Sequence, residues 1–187
     1  CCEGCAKTVS SQLYPVKGVK SVGVDLETHM VTVSLPKQNP AVLGALWHAT
    51  QQGEGGPKKL ATGAATYDLT LPETNEKSEQ VRQMGGMQQV KFDKLHCKGC
   101  ANKVAAQLYT VKGVAKVSID MKTNIITVQT QNNAPISPWL VIEAALKAKE
   151  RPVAVYGNFG TLAIKWNAPA PAKNHQASLP TTGGIRR

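Results

Sequence analysis

The sequence has few aromatic residues, few acidic residues and no long hydrophobic run. Phe, Trp and Tyr make up 5% of its 187 residues, and no apolar stretch approaches the roughly 20 residues of a membrane helix, so no membrane span is predicted. The 22 Lys and Arg residues outnumber the 12 Asp and Glu residues, and the formal charge of +10 favours an acidic partner. With 42% apolar and 18% charged residues, the chain is expected to fold as one ordinary domain or two small ones.

The residue patterns of catalysis and of nucleic-acid binding are also missing. The sequence has no paired carboxylates, no nucleophile with an arranged base and no phosphate-cradling glycine loop, so the chain is not expected to be an enzyme. RNA-binding modules stack bases on aromatic residues of central strands, whereas "MVTVSL" and "IITVQT" contain no aromatic residue. No nucleic-acid partner is therefore predicted.

An internal repeat dominates the sequence. At an offset of 95 residues, Cys2 to Val33 aligns without a gap on Cys97 to Val128, and seventeen of the thirty-two aligned residues are identical. A duplication of this kind predicts that both halves fold in the same way, so each half helps to interpret the other.

The second half predicts the element order β-α-β-β-α-β. "QQVKFDKL" alternates as a strand, a helix follows from Gly99, and "IITVQT" closes a hairpin after "KTN". A second helix is predicted over Trp139 to Lys149, with Leu140, Ile142 and Ala144 on its apolar face, followed by a strand in "PVAVYG" and a further strand in "TLAIKW". The predicted fold class is α+β, with two ferredoxin-like domains in tandem.

The first half lacks a counterpart of the first strand. Its helix one is predicted at about Cys5 to Tyr14, its hairpin in "SVGVDL" and "MVTVSL", its helix two in "PAVLGALWHA" and its last strand in "TYDLTL". Either residues ahead of Cys1 are missing, which is the favoured interpretation, or "KKLATG" or "TYDLTL" fills the vacant place. The chain begins neither with Met nor with a signal-peptide pattern, and its location stays open between cytoplasmic, which is favoured, and periplasmic or exported.

Composition sets the predicted domain boundaries. Domain one spans residues 1–71, and a polar segment over 72–86 is predicted as a linker. Domain two spans 87–167, and the Pro/Ala/Gly-rich tail over 168–187 is expected to be disordered.

Each half carries a Cys-x-x-Cys motif, "CEGC" and "CKGC", at the start of a predicted helix. The partial positive charge of a helix N-terminus favours the thiolate form of cysteine. Two thiolates make a soft site that suits Cu(I) and also Zn(II) or another thiophilic ion, and two protein ligands leave coordination positions open to a second protein.

Together with "A-x-x-V", "VKGV" and the strand order, these motifs make each half resemble a heavy-metal-associated domain of copper chaperones and metal-transporting ATPases. The resemblance implies metal binding by Cys2 and Cys5 in the first half and by Cys97 and Cys100 in the second, with Cu(I) as the expected ion. It also implies an acidic donor or acceptor protein, such as a metal-transporting ATPase domain. Lys7, Lys98 and Lys103 are either part of a basic face on which that partner docks or an ordinary solvated face. Leu95 stands where the family usually has Met, and the same packing beneath the loop is expected of it.

Two further side chains are candidate ligands. Cys1 is either a third thiolate, which would favour Zn(II) or Cd(II), or a residue that points away, and His96 is either a ligand or exposed to solvent. The predicted function is soft-metal binding for trafficking, buffering or delivery. The alternative is a thiol–disulfide redox or protein-interaction module on the same fold.

Overall fold

The computed structural model describes residues 3–53, 55–71, 86–95 and 97–167. Residues 72–85 of the predicted 72–86 linker and the predicted tail lie outside these residues, as do Cys1, Cys2 and His96. In chain order, the elements are α1 (Glu3–Leu13), β1 (Ser21–Asp25), β2 (Met30–Ser34), α2 (Pro40–Gln52), β3 (Lys59–Ala61), β4 (Ala65–Thr70), β5 (Met87–Phe92), α3 (Lys98–Tyr109), β6 (Val114–Asp120), β7 (Ile125–Thr130), α4 (Pro138–Lys147), β8 (Pro152–Gly157) and β9 (Gly160–Trp166). None of the described helices is long and apolar enough to cross a membrane.

The second half is a complete ferredoxin-like unit, which confirms the predicted fold class. Its four repeat strands lie in the order β8-β5-β7-β6, with all neighbours antiparallel. The central strand β5 places Val90 between Ile126 of β7 and Val155 of β8, and all three side chains are fully buried. The period-two alternation of "QQVKF" therefore packs one face of this strand into the core.

The helix α4 starts one residue before its predicted beginning and ends at Lys147, two residues early. Pro138 occupies its first turn, where the missing N–H has no intrahelical partner to lose. The predicted apolar face is wrong in one residue, because Leu140 is 41% exposed. Trp139 is buried instead, together with the predicted Ile142 three residues further along the helix.

In the first half, β1 and β2 form a separate two-stranded sheet. Among the described residues, no strand lies on the free edge of β2, and neither "KKLATG" nor "TYDLTL" fills the vacant place. The alternative that one of these segments fills the place is wrong, because the two segments, as β3 and β4, pair with one another as a hairpin. The favoured interpretation, residues missing ahead of Cys1, stays a prediction.

That hairpin joins the sheet of the second half. The strand β4 pairs antiparallel with β9, which gives a seven-stranded sheet in the order β3-β4-β9-β8-β5-β7-β6. At the 95-residue offset, β3 corresponds to β8 and β4 corresponds to β9, so "TYDLTL" is the counterpart of the further strand "TLAIKW" and not of strand four. Asp68 pairs with Ala163, its own repeat counterpart, which places a pseudo-twofold axis at this pair.

The helices α2 and α4 meet above this strand pair. The rings of Trp47 and Tyr67 lie 5.8 Å and 4.9 Å from the Trp139 ring, measured between centroids. The main core cluster consequently contains residues of both halves, among them Leu43, Trp47, Ala65 and Tyr67 of the first. A smaller cluster of Val9, Leu13, Leu46 and Ala49 joins α1 to α2.

Equivalent side chains of β7 and β2 differ in burial, and no strand of the described residues lies beside the free edge of β2. Ile126 on β7, which pairs with Val90 of β5 in the same sheet, is fully buried. Its counterpart Val31 on β2 is 38% exposed. Tyr14, Val24, Leu26 and Met30 are also exposed in this part of the first half. The repeat therefore has similar sequences but unequal cores.

Candidate metal centre

The second Cys-x-x-Cys motif spans the junction of a loop and a helix. Cys97 is the N-cap residue of α3 in an extended conformation, with φ −159° and ψ 158°. The backbone N–H of Cys100 donates to the Cys97 Sγ over 3.1 Å, so the sulfur satisfies one of the free donors at the helix start. Leu95 is 5% exposed and belongs to the main core cluster, which confirms its predicted packing beneath the loop.

The two sulfur atoms of this motif lie close together. The Sγ atoms of Cys97 and Cys100 are 3.0 Å apart, and no disulfide joins them. Cys97 is exposed, whereas Cys100 is 8% exposed and packs in the core. Thiolates bind a thiophilic ion such as Zn(II) at about 2.3 Å, which places two ligating sulfurs up to about 4.6 Å apart. The pair therefore fits one ion after a small outward movement of the Cys97 side chain.

The surroundings of Cys97 favour its thiolate. Hydrogen bonds from the thiol and the backbone N–H of Cys100 lower the pKa of Cys97 below that of an ordinary thiol. The backbone N–H of Gly99 and the positive charge of Lys103 lower this pKa further. Since metals bind the thiolate form, less proton release is needed at neutral pH than for an unperturbed cysteine.

Sequence reasoning missed Asn124, which holds the loop ahead of Cys97. Its Oδ1 accepts the N–H of Leu95 over 3.1 Å, and its backbone oxygen accepts the N–H of Phe92 over 3.0 Å. Asn124 sits in the "KTN" connection with φ 56°, a left-handed conformation that Asn tolerates. The residue type gave a signal for the turn, but none for its contact with the loop. Its repeat counterpart, His29, has the same conformation with φ 55°.

The first motif is described only in part. Cys5 is the third residue of α1, as Cys100 is the third residue of α3, and it is exposed. Lys7 pairs with Glu3 over 2.9 Å on the surface of the same helix. Cys1, Cys2 and His96 lie outside the described residues, so their predicted roles stay predictions. Lys98 and Lys103 are exposed beside the second motif.

A third protein ligand is not found in the described part of the chain. Within residues 3–53, 55–71, 86–95 and 97–167, no group of three or more His, Cys, Asp or Glu side chains gathers in a geometry that holds a metal. The described site is thus a pair of sulfurs at a helix start, partly open to solvent.

The fold and this site define a class of protein: a ferredoxin-like domain that presents a two-cysteine loop for a soft metal ion. The heavy-metal-associated domain family matches residues 1–43 and 89–150, together more than half of the chain. The chain belongs to this family of heavy-metal-binding domains.

Two solved structures align with 81% of this chain at low identity. One is the solution structure of the N-terminal soluble domains of Bacillus subtilis CopA, with 18% identity, a TM-score of 0.30, and coverage of 81% of this chain and 84% of that one. The other is the water-soluble region of the P-type ATPase CopA from Bacillus subtilis, with 19% identity, a TM-score of 0.28, and coverage of 81% and 80%. A comparison with curated protein sequences gave no match.

Proposed function

We propose that this protein is a Cu(I) carrier that binds one ion in each half through its Cys-x-x-Cys pair, and that it is not an enzyme. The observation that carries the proposal is the sulfur pair of Cys97 and Cys100, 3.0 Å apart at the start of α3. Two thiolates form a soft donor set, which suits Cu(I) better than it suits hard ions. By the repeat, Cys2 and Cys5 form the same donor set in the first half.

The unequal burial of the two cysteines favours transport over a structural role. Cys100 is anchored in the core, while Cys97 is exposed. A structural zinc site usually closes around its ion with four protein ligands, whereas a pair of ligands leaves positions open. A partner's thiolates reach the ion through these open positions, and Cys97 is the ligand that meets them first. The exposed Lys98 and Lys103 beside the motif suit a partner with an acidic surface.

The test is an anaerobic titration of the reduced protein with Cu(I) in competition with a colorimetric chelator. The wild type is expected to bind two ions tightly, while Cys97→Ala and Cys100→Ala each bind one. Cys5→Ala is the matched variant in the other half and is expected to lose the other ion. An unchanged stoichiometry in Cys97→Ala would contradict the site assignment, and absence of tight binding in the wild type would contradict the function. A parallel titration with Zn(II) decides between Cu(I) and a divalent ion.

The second candidate is a thiol–disulfide redox function. It is favoured by the same sulfur separation and by the lowered pKa of Cys97, because a thiolate beside a second thiol forms a disulfide with little movement. Equilibration with glutathione buffers, followed by alkylation and mass spectrometry, measures the reduction potential of the pair. A carrier is expected to be reduced at a cytosolic glutathione poise and to lose its reactivity towards glutathione disulfide once Cu(I) is bound. Rapid catalytic turnover of a disulfide substrate would favour the redox function instead.

A further inference from the structure

The pairing of β4 with β9 places strands of both halves in one sheet, which determines where the two metal sites lie relative to each other. We infer that the two Cys-x-x-Cys motifs open at opposite edges of this sheet, so that each exchanges its ion with a separate partner molecule and neither passes it to the other. This inference rests on the proposed Cu(I) function for its chemistry, and on the strand and helix arrangement for its geometry.

The strand directions place the motifs at opposite edges. The strands β5 and β9 both run antiparallel to β8 and are therefore parallel to each other. Cys97 follows the end of β5, so the second motif lies at the edge where β9 ends with Trp166. The strand β4, the first-half counterpart of β9, runs antiparallel to β9 and ends at the opposite edge. In the second half the motif lies at the edge where β9 ends, so by the repeat the first motif is expected at the edge where β4 ends, which is the opposite edge.

The helices give the same answer independently. Gly53, just after α2, lies so close to α1 that a Cβ atom there would be 2.7 Å from the Cα of Val9. Cys5 lies four residues before Val9 on α1, about 6 Å along the helix axis, so the first motif is about one helical turn from the C-terminal end of α2. In the second half, Phe92 pairs with Pro152, which places the loop before Cys97 beside the C-terminal end of α4.

The helices α2 and α4 contact each other at Gly44 and Trp139, near their starts. A Cβ atom on Gly44 would lie 2.9 Å from the Cβ of Trp139, and these two positions are repeat counterparts. The connected strands make the two helices roughly antiparallel. Gly53 lies nine residues after Gly44, and Lys147 lies eight residues after Trp139. Because the two helices run in opposite directions from this contact, their C-terminal ends are about 25 Å apart at ~1.5 Å per residue. A shared ion requires sulfurs within about 4.6 Å, so the two motifs do not share one.

The interface is built to hold this separation. Six residue pairs join β4 to β9, and Tyr67, Leu162 and Ile164 are buried in the main core cluster beneath the helices. A continuous sheet with a common core moves as one body more readily than it opens, because opening exposes apolar surface and unpairs backbone groups. Two partners, each carrying thiolates to accept a soft ion, can therefore dock at the same time without colliding.

A distance measurement tests the geometry without any metal. Thr8 and Lys103 are exposed, equivalent positions on α1 and α3. The two spin labels are introduced by Thr8→Cys and Lys103→Cys in a chain whose five native cysteines are replaced by Ser. Pulsed electron–electron double resonance is expected to give a single narrow distance distribution. Its centre is expected above about 20 Å, because the helix rise of ~1.5 Å per residue places the two helix ends about 25 Å apart. A distribution below about 15 Å, or a broad one that spans both ranges, would overturn the inference.

An exchange measurement tests the chemistry. The wild type is loaded with one equivalent of Cu(I), and exchange spectroscopy follows the backbone amides of Gly4 and Gly99, the equivalent glycines of the two motifs. The rate of redistribution between the motifs is expected to rise in proportion to protein concentration, because the ion must pass through a second molecule. A rate independent of concentration would show direct transfer within one chain and would overturn the inference. Failure to bind Cu(I) would remove the proposed function, and with it the two-partner role, while a long label distance would still stand.

Discussion

The side chain of Trp139 lies directly against the backbone of Gly44, its own counterpart in the repeat. A Cβ atom at position 44 would be 2.9 Å from both the Cβ and the Cγ of Trp139, which is closer than carbon atoms approach without a shift. The two copies thus differ at this position. One has a large aromatic residue and the other has no side chain, at the point where the two copies cross. The pair determines how closely α2 and α4 pack.

Gly44→Leu is expected to destabilise the protein by about 1–3 kcal/mol, because overpacking at this contact outweighs the ~1 kcal/mol that a helix gains on losing glycine. Urea unfolding monitored by Trp fluorescence measures this change. Gly23→Ala is the control, since a Cβ atom there meets nothing within 4 Å, and its effect is expected to stay within about 0.5 kcal/mol. Equal stability of Gly44→Leu and the wild type would show that α2 and α4 do not touch in solution.

Alkylation of Cys97 is expected to remain fast below the pH at which an ordinary thiol becomes unreactive. The hydrogen bonds from Cys100 lower the pKa of Cys97, so its thiolate persists as the pH falls and disappears only below the lowered pKa. The measurement is the pH dependence of iodoacetamide labelling of the metal-free reduced protein, followed on the Cys97 peptide by mass spectrometry. Cys100→Ala removes the thiol donor and is expected to move the midpoint upward, and Lys103→Gln is expected to move it in the same direction. Identical midpoints for Cys100→Ala and the wild type would show that the Cys100 thiol does not act on Cys97.

Asn124→Gly is expected to weaken Cu(I) binding in the second half by roughly two- to tenfold, the equivalent of one ordinary hydrogen bond. Glycine keeps the left-handed conformation of position 124 but removes the oxygen that accepts the Leu95 N–H. Chelator competition measures the affinity, and hydrogen exchange of the Leu95 amide reports the loosened loop directly. Asn124→Asp retains an acceptor oxygen and is the matched control. Full affinity with an unprotected Leu95 amide would mean that the loop needs no support from this residue.

Equivalent core positions are expected to respond unequally to truncation. Ile126→Ala should cost about 2–5 kcal/mol, because the side chain is fully buried in the main core cluster. Val31→Ala, at the equivalent position of the first half, should cost less than about 1 kcal/mol, since Val31 is already 38% exposed. Urea denaturation of both variants checks the pair. Similar losses would show that Val31 is covered in solution.

Most single elements were predictable because their signals are local. The alternation in "QQVKF", the β-branched run in "IITVQT" and Pro138 at a helix start each predicted the element that is found there. The motif position was local too, since Cys97 and Cys100 sit where a loop enters a helix. The apolar face of α4 was predicted less well, because Leu140 has the same hydrophobicity as its buried neighbours and only the packing of α4 leaves it exposed.

The sequence by itself determined the repeat, the ferredoxin-like order of the second half and the placing of two sulfurs at a helix N-terminus, because these depend on residues a few positions apart. Only the tertiary structure decided that β4 pairs with β9, that Trp139 lies on Gly44 and that Asn124 supports the metal loop. "TYDLTL" and "TLAIKW" have the pattern of ordinary strands, and nothing local states which strand each will join. That choice depends on which edges remain unpaired once the rest of the chain has folded, since exposed N–H and C=O groups and apolar faces bind the nearest complementary edge.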